Sequence, residues 1–125
     1  MSPAMTRQLD PALTEEFRQR LLEARRVLLR TVTTTDEELE TLETHQPGAP
    51  IEDVARDQVL AILSRLEGRD RHALDEIFIG LGKLGTRSYG ICEGCGGELP
   101  LARLRAMPTA RYCLACQTAR EAPAG

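Results

Sequence analysis

The stretch CEGCGGELPLARLRAMPTARYCLAC runs from Cys92 to Cys116 and contains every cysteine of the chain, in two Cys-x-x-Cys pairs separated by seventeen residues. A Cys-x-x-Cys turn aims two sulfurs at one point. Two such turns at this separation fall within the spacing of a four-thiolate zinc site. Gly94, Gly96 and Gly97 let the backbone fold tightly at the first pair. Zn²⁺ in structural sites takes a closed tetrahedron of thiolates. Cys92, Cys95, Cys113 and Cys116 are therefore the expected ligands of one structural zinc ion. With four thiolates bound, no coordination position is left for water, so the site is expected to be structural rather than catalytic. His45 and His72 stand far off in sequence and read as solvated helix residues.

The metal is expected to decide whether this end of the chain folds. Some 35 residues with few aromatics cannot bury a sufficient core alone. Metal binding then supplies folding free energy. Ile91, Leu99, Leu101, Leu104 and Tyr112 are the candidate core around it, and Leu114 to Arg120 are expected to form a short last helix.

The residues in front differ in character. Asp10-Pro11 reads as an N-cap followed by proline at the first helical position. Leu13, Phe17, Leu21, Ala24, Leu28, Val32, Thr35, Leu39 and Leu42 then recur in steps of three and four. That pattern predicts one long amphipathic helix ending before the turn-rich Gln46-Pro47-Gly48-Ala49-Pro50. A second long helix is expected over Ala55, Val59, Ile62, Leu66, Leu74, Ile77, Leu81 and Leu84, with a stutter where Asp70 stands. Gly85 marks its expected end, and Gly80-Leu-Gly-Lys-Leu-Gly reads as a flexible joint.

The fold class that follows is mainly α. An antiparallel two-helix coiled-coil hairpin leads into a small four-cysteine zinc finger with a short C-terminal helix. The expected divisions are a flexible N-terminus over 1–10, a helical hairpin over 11–86 with its tip near 44–53, and a finger over 87–125. The tip region is acidic, with Glu52, Asp53 and Asp57 beside Asp36, Glu37, Glu38, Glu40 and Glu43, and Arg56 the one fixed cation among them. Such carboxylates on a stiff rod would suit basic groups or a metal ion inside another protein.

Charge and composition exclude several classes. Residues 1–86 carry 11 Lys/Arg against 16 Asp/Glu, and residues 87–125 carry 5 against 3. The broad basic footprint of a nonspecific nucleic-acid binder is absent. Arg87, Arg103, Arg105 and Arg111 are the residues that a zinc ribbon would turn to phosphates, and solvated arginines are the simpler reading. No segment approaches the roughly 20 apolar residues of a membrane span, and the N-terminus lacks the apolar run of a signal peptide. A cytoplasmic location is expected. No nucleophile–base arrangement or phosphate-cradling motif is recognisable, so no enzyme is expected.

The chain resembles the DksA/TraR family of bacterial regulators. The resemblance is carried by Arg69-Asp70-Arg71, by Leu74, Ile77, Leu81 and Leu84, and by Tyr89-Gly90-Ile91-Cys92. It continues through Cys95, Leu99-Pro100-Leu101-Ala102-Arg103-Leu104, Ala106, Pro108, Cys113 and Cys116-Gln117. It implies a zinc-binding transcription regulator that docks at the RNA polymerase secondary channel and inserts its hairpin toward the catalytic Mg²⁺, without binding DNA. The finger would be the base, and the tip residues Glu52, Asp53, Ala55 and Asp57 the working end. The family tip pattern Asp-x-x-Asp-x-Ala reads here with Pro50 in the first place, then Asp53 and Ala55. The family's Leu-Glu-Ala-Arg-Pro segment reads Leu104-Arg105-Ala106-Met107-Pro108. Some relatives use basic residues on the second helix to help hold the alarmone ppGpp. Here only Arg69, Arg71 and Lys83 are scattered along it, and that activity is not carried over. A protein-interaction adaptor of the same fold is the alternative.

Overall fold

Asp10 opens the first helix as expected. Its side chain accepts a hydrogen bond from the N–H of Leu13 at 2.8 Å, and its carbonyl accepts one from Thr14 at 2.9 Å. The computed structural model describes residues 10–44 and 53–122; the expected flexible residues 1–9, most of the expected tip and the effector candidate Glu52 lie outside them. Among the described residues six helices follow in order: α1 Pro11–Arg30, α2 Asp36–Thr44, α3 Asp53–Leu63, α4 Gly68–Thr86, α5 Leu101–Ala106 and α6 Leu114–Glu121. No strand occurs among the described residues, and an isolated antiparallel bridge joins Ile91 to Glu98. The mainly α class holds, as does the order of paired helices, four-cysteine module and short terminal helix.

The two long arms are not continuous. The first breaks at residues 31–35, the sequence Thr-Val-Thr-Thr-Thr. Five β-branched residues in a row weaken a helix by several tenths of a kcal/mol each relative to alanine. A cap then restarts it. Thr35 Oγ1 accepts from the N–H of Glu38 at 3.1 Å, and the Glu38 carboxylate accepts from the N–H of Thr34 at 2.8 Å. This is the reciprocal logic of a capping box. The second arm breaks at 64–67, where the N–H groups of Arg65 and Leu66 turn back to the carbonyls of Ile62 and Leu63, three residues before each. Gly68 follows with φ +46°, a conformation costly for residues with a Cβ.

The first break reverses the chain. Arg25 Nη2 donates to the carbonyl of Glu43 at 3.4 Å, and Arg26 Nη2 lies 3.7 Å from the Glu43 carboxylate. Eighteen residues of continuous helix would hold Arg25 and Glu43 about 27 Å apart. α2 thus runs back along the end of α1, and the extended rod expected from the periodicity is corrected to a folded-back arrangement. Leu29, Leu39, Leu42, Val59, Ile62, Leu66 and Leu74 form one buried cluster, flanked by Leu28, Val32, Leu63 and Phe78.

Residues 22–78 make one compact unit around that cluster. The other unit joins the start of α1, through Leu21, to everything from Ile79 onward. In it Phe17 and Leu21 are fully buried, and the Phe17 ring lies 5.4 Å from that of Tyr89. The glycine-rich segment expected to be a joint is ordinary helix inside α4. Gly80 serves close packing, since a Cβ there would come within 3.2 Å of Leu21 Cδ1. α4 ends at Thr86, and the left-handed position after it is Arg87, φ +63°, rather than the expected Gly85.

These contacts separate two substitutions two residues apart. A Cβ at Gly82 meets nothing within 4 Å, so Gly82→Ala should stabilise the zinc-loaded protein by up to about 1 kcal/mol. Gly80→Ala should cost about 1–3 kcal/mol by crowding buried Leu21. Urea unfolding of the two variants measures the difference, and equal effects would contradict the packing role of Gly80.

Candidate metal centre

The four cysteines converge. The Sγ atoms of Cys92, Cys95, Cys113 and Cys116 all lie within 4.8 Å of one another, and no disulfide joins them. Four sulfurs at the usual Zn–S length of about 2.3 Å stand roughly 3.8 Å apart around a tetrahedral ion. The cluster has the donor set and size for one such ion.

Local backbone builds the site. The N–H of Cys92 donates to the carbonyl of Gly97 at 2.8 Å, and that of Gly96 to the carbonyl of Cys92 at 2.9 Å. Gly96 takes φ +77° to close this turn. Gly94 has a different reason to be glycine: a Cβ there would lie 2.9 Å from Cys116 Sγ. The second pair sits at the start of α6, with Cys113 as its N-cap accepting from the N–H of Cys116.

The sulfurs are electrostatically unequal. The N–H of Cys113 donates to Cys92 Sγ at 3.3 Å, as does that of Gly94. These donors, Cys113 first, outweigh burial and pull the Cys92 thiol down to about 6. The neighbouring sulfurs of Cys113 and Cys92 push Cys116 up to about 12. Without a cation, then, four thiolates in one place repel. A divalent ion removes that conflict, and its binding releases protons.

The surrounding core matches expectation in part. Leu99 and Leu104 are fully buried, while Ile91, Leu101 and Tyr112 are half-buried. Tyr89, not among the expected core, is buried, and its hydroxyl donates to the carbonyl of Pro108 at 2.6 Å. Burial raises its pKa above the usual tyrosine value. His72 lies exposed on α4, 3.7 Å from Glu76, and takes no part in the cluster.

Three of the four arginines expected to be solvated, or to face phosphates, have internal partners: Arg103, Arg105 and Arg111. Arg105 makes a two-pronged pair with Glu16, at 2.9 and 3.2 Å. Arg103 donates to the carbonyl of Tyr112 at 2.9 Å, and Arg120 stacks over the Tyr112 ring at 4.3 Å. Arg111 grips the Glu93 carboxylate at 2.9 and 2.8 Å, and Lys83 of α4 reaches the same carboxylate. Arg111 foremost, then Lys83, hold Glu93 down at about 2 against partial burial. Glu93 was not singled out in the sequence; its flanking position beside Cys92 was the available signal.

Of the tip candidates, Asp53 opens α3, Ala55 is half-buried and Asp57 is exposed.

Helices followed by four converging thiols define a protein with a four-cysteine zinc-finger module. Residues 87–122 match the prokaryotic dksA/traR C4-type zinc finger. The RNA polymerase-binding transcription factor DksA of Escherichia coli (strain K12) is 32% identical over 119 residues, covering 90% of this chain and 74% of that protein. An uncharacterized protein of Aquifex aeolicus is also 32% identical over 119 residues, covering 94% and 82%. The structure of transcription factor DksA2 from Pseudomonas aeruginosa is similar with a TM-score of 0.59 at 29% identity, over 90% of this chain and 85% of that one. The chain belongs to the DksA/TraR family, with a C4-type zinc finger as its metal centre. No described helix is long and apolar enough to cross a membrane.

Two outcomes follow for the centre. Gly94→Ala should weaken zinc binding by about tenfold or more, while Gly97→Ala, whose Cβ meets Cys95 Sγ at an ordinary 3.4 Å, should change it little. Chelator competition measures both. Because Glu93 is depressed in the folded state, its stabilising contribution is present above the unfolded value near 4.5 and fades as pH falls toward about 2. Wild type should therefore be more stable than Glu93→Gln at neutral pH, and the gap should close over that acid window in denaturant titrations.

Proposed function

We propose that this protein binds RNA polymerase and regulates transcription through it, without sequence-specific DNA binding. The observation that carries this reading is the similarity to polymerase-binding DksA, which runs over nine-tenths of the chain and so covers the helices as well as the finger. In this reading the helical part 11–86 and the finger 87–125 have separate tasks. The zinc centre, held by Cys92, Cys95, Cys113 and Cys116, fixes the docking base. Glu52, Asp53, Ala55 and Asp57 form the working end. Binding to polymerase places the protein in the cytoplasm. Engagement of Arg103, Arg105 and Arg111 by internal partners supports the absence of phosphate contacts. Contact with ppGpp is not part of the proposal.

The measurement is the affinity of zinc-loaded protein for RNA polymerase core enzyme, with Cys113→Ser beside it. Tight binding is expected for the parent and loss for the variant. Asp53→Asn and Ala55→Thr should keep the affinity and lose the effect on transcription in vitro. Variants as active as the parent would remove the tip from the mechanism. Pro50, standing where the family pattern has its first aspartate, favours the second reading, an adaptor of the same fold. Absence of polymerase binding with an intact finger would select it.

A further inference from the structure

The folded-back unit carries the sequence of a straight one. The apolar steps from Leu28 through Val32 to Leu39 and Leu42, and from Val59 through Ile62 and Leu66 to Leu74, keep helical spacing across both breaks. Neither break contains proline. The residues that would form the seam of an extended hairpin are nearly those that fill the folded-back cluster. The apolar pattern therefore suits two arrangements, and something else must choose between them.

One pair of side chains makes the choice. Arg65, just after α3, donates to the carbonyl of Val32 at 2.7 Å and to the two carboxylate oxygens of Glu38 at 3.1 and 3.2 Å. Glu38 also accepts from the N–H and the hydroxyl of Thr34, at 2.8 and 3.1 Å. One of these bonds cannot coexist with a continuous helix: there the single N–H of Thr34 would donate to the carbonyl of Arg30 and not to Glu38. The Glu38 carboxylate thus holds a backbone donor that straightening would need, and Arg65 holds that carboxylate in place.

An opposing force is built in as well. Arg25 is only 8% exposed, and among the described residues its Nε has no hydrogen-bond partner. Its bond to the Glu43 carbonyl is long, at 3.4 Å. A buried cation so poorly paired disfavours the arrangement that buries it. In a two-helix pair the long arginine stem would reach the edge and bring its guanidinium to water.

We propose that residues 22–78 exchange between this folded-back form, latched by Arg65 and Glu38, and an open form in which α1 runs on into α2 and α3 into α4. Burial of Arg25 drives opening, and the latch resists it. The open first arm, residues 22–44, is about 34 Å long. The exchange is a property of the chain alone and does not depend on what the chain binds.

The test is a distance measurement by pulsed electron paramagnetic resonance on the full-length, zinc-loaded protein. Spin labels go at exposed Glu23 and Thr44 through a chemistry that spares cysteine. The open form separates these positions by about 31 Å along one helix. The folded-back form holds them close, because Arg25 and Arg26 touch Glu43. Wild type should give a mainly short distribution. Arg65→Ala and Glu38→Gln should raise the open-to-closed ratio about fivefold, the scale of an exposed charged pair. Arg25→Leu should lower that ratio. Zinc content and circular dichroism confirm that each variant is folded. A distribution that stays short in both latch variants overturns the proposal, as does a long one in wild type. So does a shift in the same direction for Arg25→Leu and Arg65→Ala.

Discussion

Four sulfurs within 4.8 Å of one another set the terms for the finger. They cannot all be anionic there without a cation, and they cannot all be held together by so small a core. A divalent ion answers both needs. The rest of the finger is arranged to keep the sulfurs in place. Backbone N–H groups point at Cys92, Gly94 gives Cys116 room, and α6 begins at Cys113 so that its first turn aims the second pair inward. Glu93, next to a ligand, gathers Arg111 and Lys83 and so ties the first cysteine turn both to the approach of the second pair and to α4. Arg105 makes a comparable tie from α5 to Glu16 on α1. The metal and these charged ties have complementary roles. The ion closes the loop locally, and the pairs fasten the closed loop to helices distant in sequence.

The helical unit relies on different means. Its cluster of leucines, valine and isoleucine is apolar enough to hold four short segments, but apolar contact is not directional. Direction comes from the polar groups at the turn. Thr35 and Glu38 end one helix and begin another, and Arg65 brings α3 to that same point. A side chain with several bonds therefore fixes a geometry that the greasy residues leave open.

Much of this was legible in the sequence. The finger was, because ligand spacing and glycine placement are local properties that a short quotation contains. So was the start at Asp10-Pro11, because an N-cap is a property of a few neighbouring residues. The broken arms were not, because the three–four spacing of apolar residues runs through the breaks without interruption. Thr35-x-x-Glu38 was a readable capping box, and Leu66-Glu67-Gly68 a readable helix end; periodicity outvoted both. Gly80 was misread as flexibility because its reason is Leu21, nearly sixty residues away. The pairing of Arg105 with Glu16 joins residues 89 apart and has no local signature at all. What a sequence hides here is the choice among long-range partners rather than the propensity of any segment.

The compact unit that holds the finger is interrupted in the chain. Its first part ends at Leu21 and its second begins at Ile79, with the other unit threaded between them. During synthesis the inner unit is complete while the cysteines are still unmade. Phe17 and Leu21, fully buried in the finished protein, must wait uncovered until Tyr89, Gly80 and their neighbours emerge. At about 5–20 residues per second that interval lasts some seconds. Over that interval the nascent chain carries an exposed apolar helix end, and zinc capture can come only after Cys116 has been made.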